Sequence, residues 1–139
     1  MRQIYVNLPV RDLEASKRFF TELGFSFDTT FQDETATCMV VEENIFVMLL
    51  TEARFRDFIV GDIADRDTTE VLVAISADSP EEVDRLVDRA LEVGGSPWKP
   101  TIAQGPMYCR TFRDPDGHVW EVLHMDLSKL QTQPVASEA

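Results

Sequence analysis

The stretch IYVNLPVRDLEASKRFFTELG, residues 4–24, contains the pattern of a strand followed directly by a capped helix. Apolar side chains alternate with others over residues 4–10, which predicts a half-buried strand with Tyr5 and Asn7 on its second face. Asp12 stands where a helix N-cap is expected, and Gly24 is a typical residue just after a helix end. The stretch therefore predicts one β-α unit.

A second copy of this unit begins near residue 69. Residues 69–76 predict a strand, and Ser79-Pro80-Glu81-Glu82 has the pattern of a capped helix start that runs to Gly94. Three further strands are predicted after each unit, at 25–31, 36–42 and 45–51 in the first half and 96–99, 107–113 and 118–125 in the second. A duplication of this kind predicts an α+β fold built from two βαβββ modules.

The predicted organisation is a single domain over residues 1–126. Module one spans residues 1–51, a connector with a short helix near 52–59 spans 52–68, and module two spans 69–126. The remaining residues, 127–139, are polar and predict a loose tail. The loop at 102–106 is predicted either to close over a cleft or to be an inert connection.

The composition excludes several classes of function. The chain has 139 residues and a formal net charge of −12, with no basic stripe, so it is not expected to bind nucleic acid or an anionic membrane surface. No apolar run is long enough to span a bilayer, and a cytoplasmic location is expected. Cys38 and Cys109 are expected to be buried thiols.

Two segments, residues 6–25 and 112–122 with Asp114-Pro115-Asp116-Gly117, resemble the vicinal oxygen chelate superfamily of glyoxalase I, bleomycin-resistance proteins and extradiol dioxygenases. The resemblance implies that the two modules form a curled mixed sheet around a cleft, and that the chain forms a homodimer with a small-molecule ligand. In the enzymes of this superfamily a divalent metal chelates two neighbouring oxygens of the substrate and stabilises negative charge as a Lewis acid.

The resemblance implies Tyr5, Glu70 and Glu121 as the metal ligands. The family usually has a histidine where Tyr5 stands, and a neutral phenol is a poor ligand for most divalent metals. The site is therefore expected to hold either one divalent metal (Mn, Fe, Ni, Zn or Mg) or no metal. Glu121 lies in an otherwise apolar strand, where a carboxylate usually has a partner, so it is the candidate catalytic residue. Without a metal it would serve as a general base.

Ligand-binding residues are predicted on the inner faces of the strands. They combine aromatic, thioether and amide side chains, which suit an organic ligand of modest size: Tyr5, Asn7, Met48, Trp98 and Tyr108. The predicted function is the binding of a small organic ligand between the modules, with a degenerate metal site. The alternatives are a metal-dependent lyase, isomerase or dioxygenase that uses Glu121 and Glu70 as ligands, and an interaction module without a pocket.

Overall fold

The computed structural model describes residues 1–129, so residues 130–139 of the predicted tail lie outside the described residues. The secondary structure follows two β-α-β-β-β successions joined by a short helix. In chain order the elements are β1 Ile4–Val10, α1 Leu13–Glu22, β2 Ser26–Asp33, β3 Ala36–Glu42, β4 Ile45–Thr51, α2 Glu52–Arg56, β5 Leu72–Ser76, α3 Pro80–Glu92, β6 Ile102–Gln104, β7 Met107–Arg113, β8 Val119–Met125 and a 3₁₀ turn Leu127–Lys129.

The strands form two four-stranded sheets with the same topology. Their orders are β1-β4-β3-β2 and β5-β8-β7-β6. In each sheet the first and last strands of the module pair in parallel, and the other neighbours are antiparallel. The predicted α+β fold of two βαβββ modules with curled mixed sheets is therefore confirmed.

Side-chain caps fix where the two long helices begin. The Asp12 carboxylate accepts a hydrogen bond from the Ala15 amide at 3.1 Å, and the Ser79 hydroxyl accepts one from the Glu82 amide at 3.1 Å. Each cap satisfies one of the amides that a helix start leaves without an intrahelical partner. The caps predicted from the sequence are confirmed, and they orient both helices immediately after β1 and β5.

The strand predicted at 96–99 is wrong. Only Ser96 makes a ladder bridge, to Arg113 of β7. Pro97 and Pro100 have no amide hydrogen to donate, so the segment cannot continue the ladder. The Lys99 amide instead donates to the Thr111 hydroxyl at 3.0 Å, and regular pairing resumes only at β6. Because Ile102–Gln104 belongs to this edge strand, residues 102–106 are not a loop that closes over a cleft.

The two modules share one hydrophobic core. Phe20 of α1 lies 5.1 Å from Trp120 of β8 between ring centroids, and Phe19 lies 6.1 Å from Phe112 of β7. Trp120 is fully buried, and burial of such an aromatic side chain contributes about 3 kcal/mol. The helices therefore cover one face of the sheets; we call the opposite face of each sheet its open face.

Candidate functional site

The open face of module one carries three of the residues predicted to bind a ligand. Asn7 and Met48 are register partners on β1 and β4, and Tyr5 stacks on Phe46 with ring centroids 4.9 Å apart. Tyr5 is 44% exposed. Leu8 belongs to the core, so strand alternation places these side chains on the other face of the sheet, away from Leu8.

The open face of module two carries Glu121. Its strand neighbours Trp120 and Val122 are in the core, so the Glu121 side chain points to the other side, between its register partners Ala74 and Thr111. The residue is half-buried, and no hydrogen bond of its carboxylate is found among residues 1–129. In module one the equivalent place is held by Met48, so the carboxylate has no counterpart there.

The charge of Glu121 acts on a neighbouring thiol. Burial raises the pKa of the Cys109 thiol, and the Glu121 carboxylate raises that pKa further. Burial, with the charge of Asp28, does the same for the pKa of Cys38. Both thiols are buried and unbridged, in agreement with the prediction from the sequence. A neutral buried thiol is a poor nucleophile and a poor metal ligand.

The structure does not bring Tyr108 to Glu121. Tyr108 alternates to the helix-covered face of β7, where its hydroxyl donates to Asp84 Oδ1 at 2.6 Å. This hydrogen bond raises the pKa of the Tyr108 hydroxyl. Trp98 lies in the irregular segment before β6, with Lys99 Nζ 5.6 Å from its ring centroid. Tyr108 is thus a contact between strand and helix, which strand alternation in the correct register would have indicated.

Glu70 precedes β5 and forms part of a polar cluster around His118. Its carboxylate lies 3.4 Å from His118 Nδ1, and His118 Nε2 lies 2.7 Å from the Pro9 carbonyl oxygen. Burial of the ring lowers the pKa of His118, but the Asp114 charge, the bond to Pro9 and the Glu70 carboxylate together raise that pKa above its ordinary value. When it is protonated, His118 donates from Nδ1 to Glu70 at the start of module two and from Nε2 to the Pro9 carbonyl of β1, so it links the two modules.

The turn before His118 is also tied to module one. Arg11 Nε donates to Asp116 Oδ1 at 3.1 Å, and its Nη2 donates to the Pro115 carbonyl at 2.6 Å. Asp114 is 2% exposed and accepts from Trp120 Nε1 at 3.0 Å. This Asp-Pro-Asp-Gly turn, residues 114–117, therefore fixes the end of β1 against module two.

The residues present do not fit a divalent metal. Tyr5 donates its hydroxyl hydrogen to Gln3 Oε1 at 3.1 Å, Glu70 is engaged by His118, and Glu121 stands on a separate strand. Within residues 1–129 no group of three or more His, Cys, Asp or Glu side chains is arranged to hold a metal ion. Carboxylate and phenol donors that do not converge cannot supply the four or more ligands such ions require.

An apolar cavity of about 330 Å³ lies between β1, the connector and the start of module two. We call it the connector cavity. Its polar lining residues are Asn7, Asp62 and Glu70, and its apolar lining residues are Val6, Leu8, Pro9, Phe55, Ile59, Val60, Ile63, Ala64 and Val71. The volume and the few polar groups in an apolar wall are typical of a small-molecule site. Glu121 is not among the lining residues.

A second cavity, of about 580 Å³, lies between the modules at the other end of β5. Phe25, Val41 and Ile45 line it from module one, and residues 74–78 and Leu123 line it from module two. Glu42, Asp78 and Glu82 also line it, so it combines negative charge with apolar walls. The connector cavity is smaller and more apolar, and it contains two residues that the sequence had singled out, Asn7 and Glu70.

Comparison with known families decides the classification. Residues 2–122 match the profile of the glyoxalase/bleomycin resistance protein/dioxygenase superfamily. The chain belongs to this superfamily. The resemblance inferred from residues 6–25 and 112–122 is therefore confirmed. Superfamily membership establishes the fold and leaves the reaction open, because one fold hosts many functions.

Several solved structures of other proteins have the same fold. Hypothetical protein SA1046 from S. aureus is 26% identical, with a TM-score of 0.77 over 89% of this chain and 94% of its own. A glyoxalase/bleomycin resistance protein/dioxygenase family enzyme from Burkholderia phytofirmans PsJN is 18% identical, with a TM-score of 0.75 over 90% and 99%. The fosfomycin resistance protein FosX from Listeria monocytogenes is 19% identical, with a TM-score of 0.67 over 93% and 97%. No curated protein matches the chain.

Sequence reasoning missed the contribution of the connector to the site of this glyoxalase-superfamily chain. The sequence predicts a short helix near residues 52–59, but the helix ends at Arg56 and residues 57–71 contain no helix or strand. The signal that could have found this contribution is the group of apolar residues at 58–60 and 63–64 within the predicted connector. Among the described residues, no helix has the length and apolar character needed to cross a membrane.

Proposed function

We propose that this glyoxalase-superfamily chain binds a small organic molecule in the connector cavity, without a metal ion. The observation that carries the proposal is the cavity itself, an apolar space of about 330 Å³ with Asn7 and Glu70 in its wall. The similarity to a protein of fosfomycin resistance supports a ligand of small size. The donor set of Tyr5, Glu70 and Glu121 does not converge, which favours binding over metal chemistry.

The polar groups of the cavity give a ligand its orientation. Asn7 Nδ2 donates to the Tyr5 carbonyl at 3.4 Å, which leaves the amide oxygen of Asn7 as an acceptor. Both carboxylate oxygens of Glu70 lie near His118 Nδ1, at 3.5 and 3.4 Å, and each oxygen keeps a further acceptor position. A ligand with an apolar body and one or two donor groups, such as hydroxyl or amine, fits this arrangement.

The alternative of a metal-dependent lyase or dioxygenase requires Glu70 and Glu121 to share one ion. Glu70 is paired with His118 beside the Asp-Pro-Asp-Gly turn, whereas Glu121 faces the open side of β8 between Ala74 and Thr111. No observation favours this alternative over binding, so we derive no reaction step from it.

We further propose that the chain forms a homodimer. Large apolar side chains remain exposed on the first strand of each module, with Ile4 54%, Tyr5 44% and Leu72 48% exposed. Edge strands with exposed apolar side chains favour association. Light scattering after size exclusion should give twice the monomer mass of 15.8 kDa; a monomer at all concentrations would refute this proposal and leave the cavity unaffected.

The binding proposal is tested with an uncharged fluorescent probe, N-phenyl-1-naphthylamine, whose emission rises in apolar surroundings. Ala64 lines the connector cavity, so Ala64→Phe should fill part of it and weaken probe binding at least ten-fold. Ala53→Phe makes the same change at an exposed position of α2 and serves as the control. Equal affinities in the wild type and both variants would overturn the proposal, and addition of EDTA should change nothing.

A further inference from the structure

The cavity of about 580 Å³ between the modules is separate from the connector cavity. We call it the intermodule cleft, and none of its lining residues lines the connector cavity. Phe25 and Val41 of module one and Ile75 and Leu86 of module two give it an apolar floor that packs on the hydrophobic core. Its volume falls within the range of small-molecule sites, about 300–1,000 Å³, and apolar walls are typical of such sites.

The charged side chains of the intermodule cleft are all acidic. Glu42 at the end of β3, Asp78 just before α3 and Glu82 in the first turn of α3 line the cleft, and none of the lining residues is Lys, Arg or His. No ion pair of these three carboxylates is found among residues 1–129, whereas Arg89 pairs with two other carboxylates. The N-terminus of α3 offsets only about half a unit charge. The cleft therefore keeps an excess of negative charge, and its apolar floor strengthens the resulting field.

The carboxylates of the cleft are accompanied by further hydrogen-bond acceptors. Glu82 Oε1 accepts from the Asp78 amide at 2.6 Å, which holds both residues at the start of α3 and leaves other acceptor positions on this carboxylate. Within the part of the chain that the structure describes, β5 pairs only with β8, so its other side presents backbone carbonyls to the cleft. An alkylammonium group has three N–H donors and no acceptor, so it matches these surroundings.

Two other occupants fit the cleft less well. A divalent metal needs several ligands that converge on one point, and no such group of His, Cys, Asp or Glu side chains is found within residues 1–129. A second copy of the chain carries a net charge of −12, so a negative surface repels it. An organic cation uses both the apolar floor and the negative charge of the cleft.

We propose that the intermodule cleft is a second binding site, which takes an organic ammonium ion with an apolar body. The apolar body packs on the floor of the cleft, and the ammonium group donates to the carboxylates of Glu42, Asp78 and Glu82. Hydrogen bonds between charged groups are about twice as strong as neutral ones. The ammonium ion should therefore bind more tightly than an uncharged molecule of the same shape. This site does not depend on the connector cavity, because the two cavities share no lining residue.

Three naphthalene compounds of similar size test the charge of the ligand. At pH 7, 2-(1-naphthyl)ethylamine is an ammonium ion, 2-(1-naphthyl)ethanol is neutral and 1-naphthaleneacetate is an anion. Titration of the isotope-labelled protein, followed by the NMR shifts of its amides, gives affinity and location together. The ammonium compound should shift the amides of Ile45, Ala74 and Leu123 and bind there at least ten-fold more tightly than the alcohol. The acetate should bind more weakly than the alcohol.

Two double variants separate the cleft carboxylates from the overall charge of the protein. Glu42→Gln with Asp78→Asn should weaken binding of the ammonium compound at least ten-fold and leave the alcohol within two-fold of the wild type. Both substitutions keep the size of the side chain and leave Glu82, which contributes to the start of α3, unchanged. Glu34→Gln with Asp67→Asn removes the same charge at exposed positions outside the cleft and should leave both affinities within two-fold.

The outcomes decide between the cleft and the connector cavity. Preferential binding of the ammonium compound at the cleft amides, lost only in the first double variant and weakened by added salt, supports the proposal. Equal affinities of the ammonium compound and the alcohol, equal losses in both double variants, or no shift of the cleft amides with any compound would overturn it. Shifts confined to Ala64 and Val71 would place these compounds in the connector cavity, which supports the proposed function and refutes the second site.

Discussion

Replacing Asp114 by Asn tests how the Asp-Pro-Asp-Gly turn holds the modules together. Oδ1 of Asp114 accepts from the amides of Asp116 at 2.9 Å and His118 at 3.0 Å, while Oδ2 accepts from Trp120 Nε1 at 3.0 Å. An asparagine that keeps its oxygen toward the two amides turns its NH₂ toward the indole N–H. Two donors then face each other in a site that is 2% exposed.

The expected change in the free energy of unfolding follows from two opposing effects. Loss of a hydrogen bond to a charged group, with a buried N–H left unpaired, costs about 3 kcal/mol. Burial raises the pKa of Asp114, because the protein interior disfavours its charge, so a neutral side chain recovers part of this cost. We expect a net loss of about 2 kcal/mol in the free energy of unfolding, and a decrease in Tm of about 7 °C.

The assay is urea unfolding followed by Trp fluorescence, together with thermal unfolding. Asp12→Asn makes the same substitution at the N-cap of α1, where asparagine caps equally well, and should change stability by less than about 0.5 kcal/mol. Equal stability of Asp114→Asn and the wild type, or equal losses in both variants, would refute the assigned role of the turn.

Three further predictions concern other parts of the chain. The pKa of His118 is raised in the folded state, so its protonation stabilises the fold fully below about pH 6.5, and this contribution is lost as the pH rises through the folded pKa. Urea unfolding from pH 5.5 to 8.5 should therefore show that His118→Gln is less stable than the wild type at low pH, and that the difference becomes smaller as the pH rises. Gly95→Ala would place a Cβ 2.9 Å from two backbone oxygens, so it should destabilise by at least about 2 kcal/mol, whereas Gly24→Ala, with φ +102° and open space, should cost about 1 kcal/mol. Burial raises the pKa of Cys109, so native protein at pH 8 should react with Ellman's reagent only after denaturant is added.

The sequence predicted the modules because each signal there is local. The strand β1, the caps Asp12 and Ser79, and the turn at residues 114–117 all depend on signals within a few residues, and the structure confirms each of them. The alternation predicted along β1 is followed only in part, because Ile4 is 54% exposed and Pro9 is buried. The wrong strand prediction at residues 96–99 could also have been avoided from the sequence, because Pro97 and Pro100 have no amide hydrogen to donate to a β-ladder.

The candidate site was harder to predict because it depends on contacts between distant residues. Glu70 is paired with His118, 48 residues later in the chain, and the connector cavity needs β1, residues 55–64 and Val71 together. Strand alternation put Glu121 on the open face correctly, but no local pattern showed that the connector cavity lies elsewhere. Tyr108 shows the same limit, since its partner Asp84 lies on α3.

The central claim is that a small organic molecule occupies the connector cavity. A crystal structure of the protein soaked with N-phenyl-1-naphthylamine tests it most directly. The account predicts probe density against Leu8, Ile59 and Val71, within hydrogen-bonding distance of Asn7 or Glu70. Density beside Glu121 on the open face of β8, with the connector cavity unchanged, would contradict it.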